Sequence, residues 1–332
     1  MRSALGCAVL CCVLLGCEDA SKASADGAAS APAPAPSSSP LPVTLDGVQA
    51  AAPAAAAAAK FDSSKAWDHL RAMVAIGERP SGSAAIRETR AYITRQLRAM
   101  NLVVEEQPFV GQTPKGPIEM VNLIVKLPGR RTERILFTGH YDTKLMKGFV
   151  GASDGASSAA FLIELARVLK DQPREFTYEF VWFDGEEAVV NWVPHVDSTY
   201  GSRYYVQAAK RAPGALAQIK AMILIDMIGD KNLTLRREQN STPWLKDAIW
   251  GTAKKLGHGN VFMDEETPIE DDHLEFAKEG IPTVDIIDLD YDCCWHKVED
   301  NLSAVSARSL QIVGDVLLAA LPEISKRAVA GK

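Results

Sequence analysis

The sequence predicts an α/β sandwich with a largely parallel central sheet, on two observations. Four apolar runs, 135–138, 176–183, 221–228 and 283–287, have the composition of strands buried on both faces. Stretches of helical periodicity lie between or after them, at 156–169, 204–211, 243–256, 274–279 and 307–321. Alternation of this kind builds a parallel sheet, because each return to the starting edge needs a helix-sized connection. Ahead of it come two more helical stretches, 66–76 and 84–100, and two strand-like runs, 103–109 and 121–127. From residue 61 to about 328 there is no linker, repeat or break in composition, so the folded part reads as one domain spanning 60–328.

The preceding residues are of a different kind. Residues 1–17, MRSALGCAVLCCVLLGC, set one Arg ahead of a short apolar run and then small residues, the layout of a signal peptide and too short to span a bilayer stably. Leu14-Leu15-Gly16-Cys17 resembles the lipobox of bacterial lipoproteins, which implies that Cys17 becomes the lipid-modified first residue. Glu18 after it favours the outer membrane by resemblance to sorting rules. Residues 18–59 are Ala, Pro and Ser with few large apolar side chains and cannot offset the entropy of ordering, so they read as a disordered tether. The expected location is the cell envelope, with the folded domain periplasmic or surface-exposed.

Over the 332 residues, 36 Lys+Arg face 42 Asp+Glu, a formal net charge of −6, and the basic residues are scattered. That leaves no electrostatic footprint for a phosphate backbone and excludes nucleic acid as a partner. A hydrophobic content of 47% supports a large core and excludes a fibrous or tail-only chain. Of six Cys, Cys7, Cys11 and Cys12 leave with the signal and Cys17 is the anchor, so only Cys293 and Cys294 remain in the domain. The pair reads as two small thiols, because a bond between neighbours squeezes the preferred Cα separation; an oxidising compartment leaves the vicinal bond open.

In such a sheet ligands sit beyond the carboxyl ends of the strands, and the chemistry-bearing residues gather there. ILFTG runs into His140, Tyr141 and Asp142; VGAS into Asp154, just before a helix; FVWF into Asp184, Glu186 and Glu187; AMILI into Asp226; and Cys293, Cys294, Trp295 and His296 follow the last run. One His or Asp at a strand end is ordinarily a cap or a core partner. So many carboxylates at one edge are costly to bury without a cation, and oxygen plus imidazole donors with no thiolate set suit Zn²⁺.

In order along the chain, HYDTK, VGASDGASSAAFLIELAR, FDGEEAVVNWVPHVDSTYGSRY, LIDMIG, EDDHLEFAKEGIPTV and WHKVEDN resemble the zinc-dependent glutaminyl-peptide cyclotransferases, which share the fold of the M28 aminopeptidases. The resemblance covers nearly all of 61–321. It implies a three-layer sandwich with a central mixed, largely parallel sheet flanked by helices. It further implies one Zn²⁺ held by Asp154, Glu187 and His296, with Glu186 as general acid and base. Two carboxylates and one imidazole nearly neutralise Zn²⁺ and leave one position open, as catalytic zinc requires. Asp226 and Asp271 match paired carboxyl groups that hydrogen-bond one another and orient the leaving amide, and Trp192 and Trp295 match aromatic pocket walls. Asp272 and His273 read as helix-capping and supporting residues. The implied activity converts the N-terminal Gln of peptides or exported proteins to pyroglutamate, with release of ammonia.

The M28 aminopeptidases use the same residues differently. There His140 and Asp226 bind a second zinc bridged through Asp154, Glu186 activates a water, and an N-terminal residue is removed. All five ligands are present, so their presence does not separate the two chemistries. The segment 191–199, NWVPHVDST, together with Asp271-Asp272-His273 and Trp295-His296, resembles the cyclotransferases specifically. Two departures concern the peptide side of the pocket: Glu270, a substrate-binding candidate, stands where the animal enzymes carry Gln, and 288–294 replaces an aromatic, Pro-rich rim with an acidic one. The alternative outside enzymes is a catalytically silent lipoprotein on the same scaffold, and no ligand or base is substituted in its favour.

Overall fold

A computed structural model describes residues 59–330 of the chain; the signal, Cys17 and nearly all of the tether read from the sequence lie outside the described residues. Helices α1 (Ser63–Ile76) and α2 (Ala84–Ala99) precede a hairpin of β1 (Val104–Thr113) and β2 (Gly116–Leu127). The alternation follows as β3 (Arg131–His140), α3 (Ala156–Leu169), β4 (Phe176–Phe183), α4 (Tyr200–Arg211) and β5 (Ile219–Asp226). Then come β6 (Leu235–Glu238), α5 (Pro243–Lys255), β7 (Phe262–Thr267), α6 (His273–Ala277), β8 (Thr283–Ile287) and α7 (Ala307–Ala330).

Side-chain alternation makes the layers. In β3, Ile135 and Phe137 enter one core and Leu136 the other; in β4, Phe180 and Trp182 oppose Val181 and Phe183; in β5, Ala221, Ile223 and Ile225 oppose Met222 and Leu224. All of these residues are buried, so the strands read as unbroken apolar runs and both faces of the sheet are covered. Helices α1, α3 and α7 pack together over one face, while α4 and α6 cover the other. The six-stranded order is β1-β2-β4-β3-β5-β8, with β4, β3, β5 and β8 parallel and the β1–β2 hairpin joined antiparallel to β4. This is the mixed, largely parallel three-layer sandwich expected.

Differences from the sequence reading have local causes. α4 begins at Tyr200 rather than 204: the Tyr200 N–H donates back to the Gly185 carbonyl (2.7 Å), and the first turn, Tyr-Gly-Ser-Arg, has no apolar periodicity to mark it. α7 continues through Pro322 to Ala330, beyond the 307–321 read from the sequence. β6 and β7 were not foreseen, since LRRE and FMDEET contain no apolar run; they pair in parallel as a two-stranded sheet around α5. VGAS, read as an apolar run at the sheet edge, is loop and turn.

The start of the described chain is tied into the core. Phe61 packs on Phe161 at 4.9 Å between ring centroids, and a Cβ on Gly314 of α7 would come within 2.4 Å of its ring. Among the described residues, no helix is long and apolar enough to cross a membrane. Phe61→Ala is expected to destabilise the domain by about 3 kcal/mol through the cavity left behind, read as a lower urea midpoint at unchanged m-value.

Candidate active site

Parallel pairing sets the carboxyl ends of β3, β4, β5 and β8 on one edge, and the predicted residues meet there. His140 ends β3 and Asp226 ends β5; Glu186 and Glu187 lie in the turn after β4, Asp154 just ahead of α3, Asp271 just ahead of α6, and His296 in the turns after β8. The loop carrying Asp154 reaches the site because the next residue is Gly155, at φ 89; a Cβ there would stand 2.4 Å from the Asp142 carbonyl oxygen. His296 (φ 51) and Met227 (φ 46), the residue after Asp226, hold left-handed backbone without being Gly, so local strain concentrates at the site.

Two groups of donors have metal-holding geometry, Asp154/Glu187/His296 and His140/Asp154/Asp226, with the donor atoms of each lying within 4.8 Å of one another. They differ in what is left unsatisfied. His296 Nε2 lies 3.3 Å from Glu187 Oε1 and 3.4 Å from Asp154 Oδ2. Asp154 Oδ2 and both Glu187 oxygens are buried without a hydrogen bond, a state that a cation at that point relieves. In the other group one hydrogen bond already joins two of the donors: His140 Nε2 is 3.1 Å from Asp226 Oδ1. The first group therefore fits a divalent cation.

The electrostatics agree. Burial, reinforced by Asp271, Glu187 and Asp272, lifts the Glu186 pKa well above the usual carboxylate range, against the pull of His140. Burial raises Glu187, and the Asp154 charge adds to it. Asp154 goes the other way: burial raises it, but His140 and His296 outweigh that and hold it low. Burial opposes a charge on His140, yet Asp226, Asp142 and Asp154 around it keep its pKa well above the ordinary imidazole value. Burial and the neighbouring Asp226 raise Asp271 strongly. Negative charge at this edge exceeds what the protein's own cations balance, so either protons or a metal must complete it.

Supporting residues that the sequence reading did not assign hold this set in place. Asp142 accepts the Glu186 and Glu187 backbone N–H groups at 3.2 and 3.3 Å and lies 3.3 Å from His140 Nδ1, fixing three site residues with one carboxylate. Asp300 accepts the Ser153 and Asp154 N–H groups at 2.8 and 3.0 Å and the Tyr291 hydroxyl at 2.8 Å. Arg79 is fully buried, and its guanidinium donates to the carbonyls of Tyr141, Val150 and Gly151. Burial lowers its pKa to about 10 despite Asp300, Asp142 and Asp154. Asp142 and Asp300 stood in the HYDTK and WHKVEDN motifs, where they were visible; Arg79 had no comparable signal.

Two expected contacts are absent among the described residues. Asp226 and Asp271 do not hydrogen-bond each other: Asp226 Oδ1 faces His140 and the Met227 N–H, while Asp271 accepts the Asp272 N–H. Asp272 makes no capping bond to α6 and instead accepts from the Ser202 hydroxyl of α4. His273 is buried between Glu238 (3.1 Å) and Asp285 (3.6 Å).

Above the donors is a cavity of about 420 Å³, walled by Trp192, Trp295, Ile269 and Leu289, with Glu186, Asp226, Asp271 and Glu270 on its lining. The Trp192 indole N–H donates to Glu270 Oε2 at 3.2 Å, so these two substrate candidates meet across the rim. Lys144, not singled out from the sequence, also lines the cavity, 3.6 Å from Glu187. The acidic rim is partly neutralised, because Asp290 pairs with Arg236 at 2.7 Å and Asp288 is buried. Cys293 and Cys294, in the turns leading to His296, are bonded as a vicinal disulfide rather than standing as two thiols.

A pocket of this make-up on the carboxyl edge of an α/β sandwich defines a metal-dependent enzyme of the peptidase type, and residues 122–321 match the model of peptidase family M28, to which the chain belongs. A glutaminyl-peptide cyclotransferase from Bothrops jararaca is 32% identical over 264 residues, covering 68% of this chain and 71% of that protein. The crystal structure of an Acidobacteriales bacterium glutaminyl cyclase aligns with a TM-score of 0.77 at 38% identity, over 83% of this chain and 99% of that one. A Porphyromonas gingivalis glutaminyl cyclase aligns with a TM-score of 0.73 at 30% identity, over 79% and 98%. Within its family the chain is a glutaminyl-peptide cyclotransferase.

The unsatisfied oxygens predict linked metal and stability. Chelation is expected to lower the melting temperature, and free metal at a hundred times its Kd to restore about 2.7 kcal/mol. His296→Ala should abolish that gain; an undiminished metal content in this variant would remove His296 from the ligand set.

Proposed function

We propose that the protein cyclises the N-terminal Gln of peptides or exported proteins, using one Zn²⁺ held by Asp154, Glu187 and His296. The observation that carries the single-metal reading is the location of the orphaned oxygens: they belong to Asp154 and Glu187, whereas His140 and Asp226 are bonded to each other. Two carboxylates and an imidazole with no thiolate are a donor set suited to catalytic zinc. When bound, the metal supplies Lewis-acid polarisation of the γ-carbonyl oxygen.

The remaining work falls to the chain. Glu186, buried beside the donor set and with its pKa raised, takes a proton from the α-amine as that nitrogen attacks Cδ. The C–N bond to the side-chain amide then breaks, and Glu186 returns the proton to the departing ammonia, so the enzyme ends in its starting protonation state. Asp226 and Asp271, both on the cavity lining, orient the leaving amide. Trp192 and Trp295 narrow the cavity and keep water from competing with the amine. Glu270, on the cavity lining and bonded to Trp192, is the candidate contact for the residues after the Gln.

The rival chemistry, a di-zinc aminopeptidase, needs His140 and Asp226 released to a second metal. A Gln-initiated peptide analysed by mass spectrometry separates the two: cyclisation removes ammonia, about 17 Da, whereas the rival removes a whole residue and requires two metals. Glu186→Gln should retain metal while turnover falls about 10²- to 10⁴-fold; retained turnover would exclude it as the proton carrier.

The sequence alone supports the placement of the enzyme: residues 1–17 as a signal with Cys17 lipidated, 18–59 as a tether, and 60–328 as a catalytic domain in the periplasm or at the cell surface. Cys17→Ala is expected to shift the protein from the membrane fraction to the soluble fraction. Unchanged membrane association would rule out a lipid anchor at this residue.

A further inference from the structure

The segment between Glu187 and α4 is organised around one side chain. Asp197, only 1% exposed, accepts the backbone N–H of Val189 (2.8 Å) and the Tyr200 hydroxyl (2.7 Å) on Oδ1. Its Oδ2 accepts the N–H groups of Val190 (2.9 Å) and Asn191 (3.0 Å). The Asp197 N–H donates to the Val193 carbonyl at 2.9 Å, which closes the tip of the loop. The base is closed by Thr199 N–H to the Glu186 carbonyl, at 2.7 Å. Apolar packing does not replace these bonds at the tip, where Val193 and Val196 are 43% and 57% exposed. The residue directly after the three captured amides is Trp192, which walls the cavity and reaches Glu270.

We propose that Asp197 is a positioning residue that acts through Trp192, fixing the indole against the cavity and thereby setting how tightly the substrate's N-terminal Gln is held. The inference rests on the substrate reading given above. One carboxylate with four donors is the arrangement that holds a short exposed loop in a single shape, because each donor forms a charge-assisted bond. An Asn at this position presents an amide NH₂ where two of the four donors point, so Asp197→Asn opens the loop without removing bulk.

The test is a cycle of Asp197→Asn and Trp192→Ala on the full-length enzyme, with KM and kcat for ammonia release from a Gln-initiated peptide, metal content, and hydrogen exchange across 188–193. Asp197→Asn is expected to raise KM about tenfold, change kcat less than about threefold, keep the metal and speed exchange in that segment. In the Trp192→Ala background the same substitution should change KM less than about twofold. A full KM effect in that background overturns the inference, as does a fall in kcat that tracks metal loss, which would mean that Asp197 serves Glu187 instead. If Asp197→Asn does not fold, Tyr200→Phe removes one donor from the same carboxylate and should raise KM in the same direction, again only when Trp192 is present. A wild-type enzyme that releases no ammonia would refute the substrate reading, and the Asp197 inference would then be decided by exchange alone: unchanged exchange at 188–193 overturns it.

Discussion

The rest of this structure depends on one electrostatic constraint, the burial of more carboxylates at one sheet edge than the chain's own cations can balance. Asp142, Asp154, Glu186, Glu187, Asp226, Asp271 and Asp272 are all buried there. Four parallel strands end on this edge, so residues far apart in sequence arrive together whether or not their charges are compatible. The structure answers in three ways. Histidines are driven toward their charged form, as at His140; some carboxyls are driven toward their neutral form, as at Glu186 and Asp271; and the oxygens of Asp154 and Glu187 are left for a cation. The proposed chemistry follows from this division, because a carboxyl with a raised pKa, Glu186, stands next to one whose oxygens are unpaired, Glu187.

A second layer makes the division hold. Asp142 grips the backbone of Glu186 and Glu187 while facing His140, and Asp300 grips the backbone of Asp154. Arg79 ties the loops after β3 and before α3 through their carbonyls. Most of these contacts are to main chain, so they set positions while leaving Asp154 Oδ2 and both Glu187 oxygens unpaired. Asp197 does the same on the substrate side, and the vicinal disulfide lies in the turns that carry Trp295 and His296. Left-handed backbone at Thr199, Met227 and His296 follows from bringing these loops so close together.

Much of the fold was legible because burial on both faces leaves an unmistakable pattern. β4, β8 and α3 fall where their apolar runs and helical periodicity said they would. β6 and β7 were not legible, since short charged strands packed around α5 carry no period-two signal. The site was legible as a set of residues at strand ends and through its motifs. The expected Asp226–Asp271 bond and the capping role of Asp272 were not found, because each oxygen has several partners within reach and the sequence does not rank them.

By itself, then, the sequence determined the layered α/β architecture, the edge where chemistry gathers and the family to which the chain belongs, since each of these is written in local periodicity and short motifs. Only the tertiary structure decided which carboxylate oxygens remain unpaired, which are taken by His140, and which hold a loop. That allocation turns on contacts such as Asp300 to Asp154, 146 residues apart in the chain. Its physical basis is that a buried donor or acceptor must find a partner wherever the fold brings one within about 3 Å, and sequence separation places no limit on that choice.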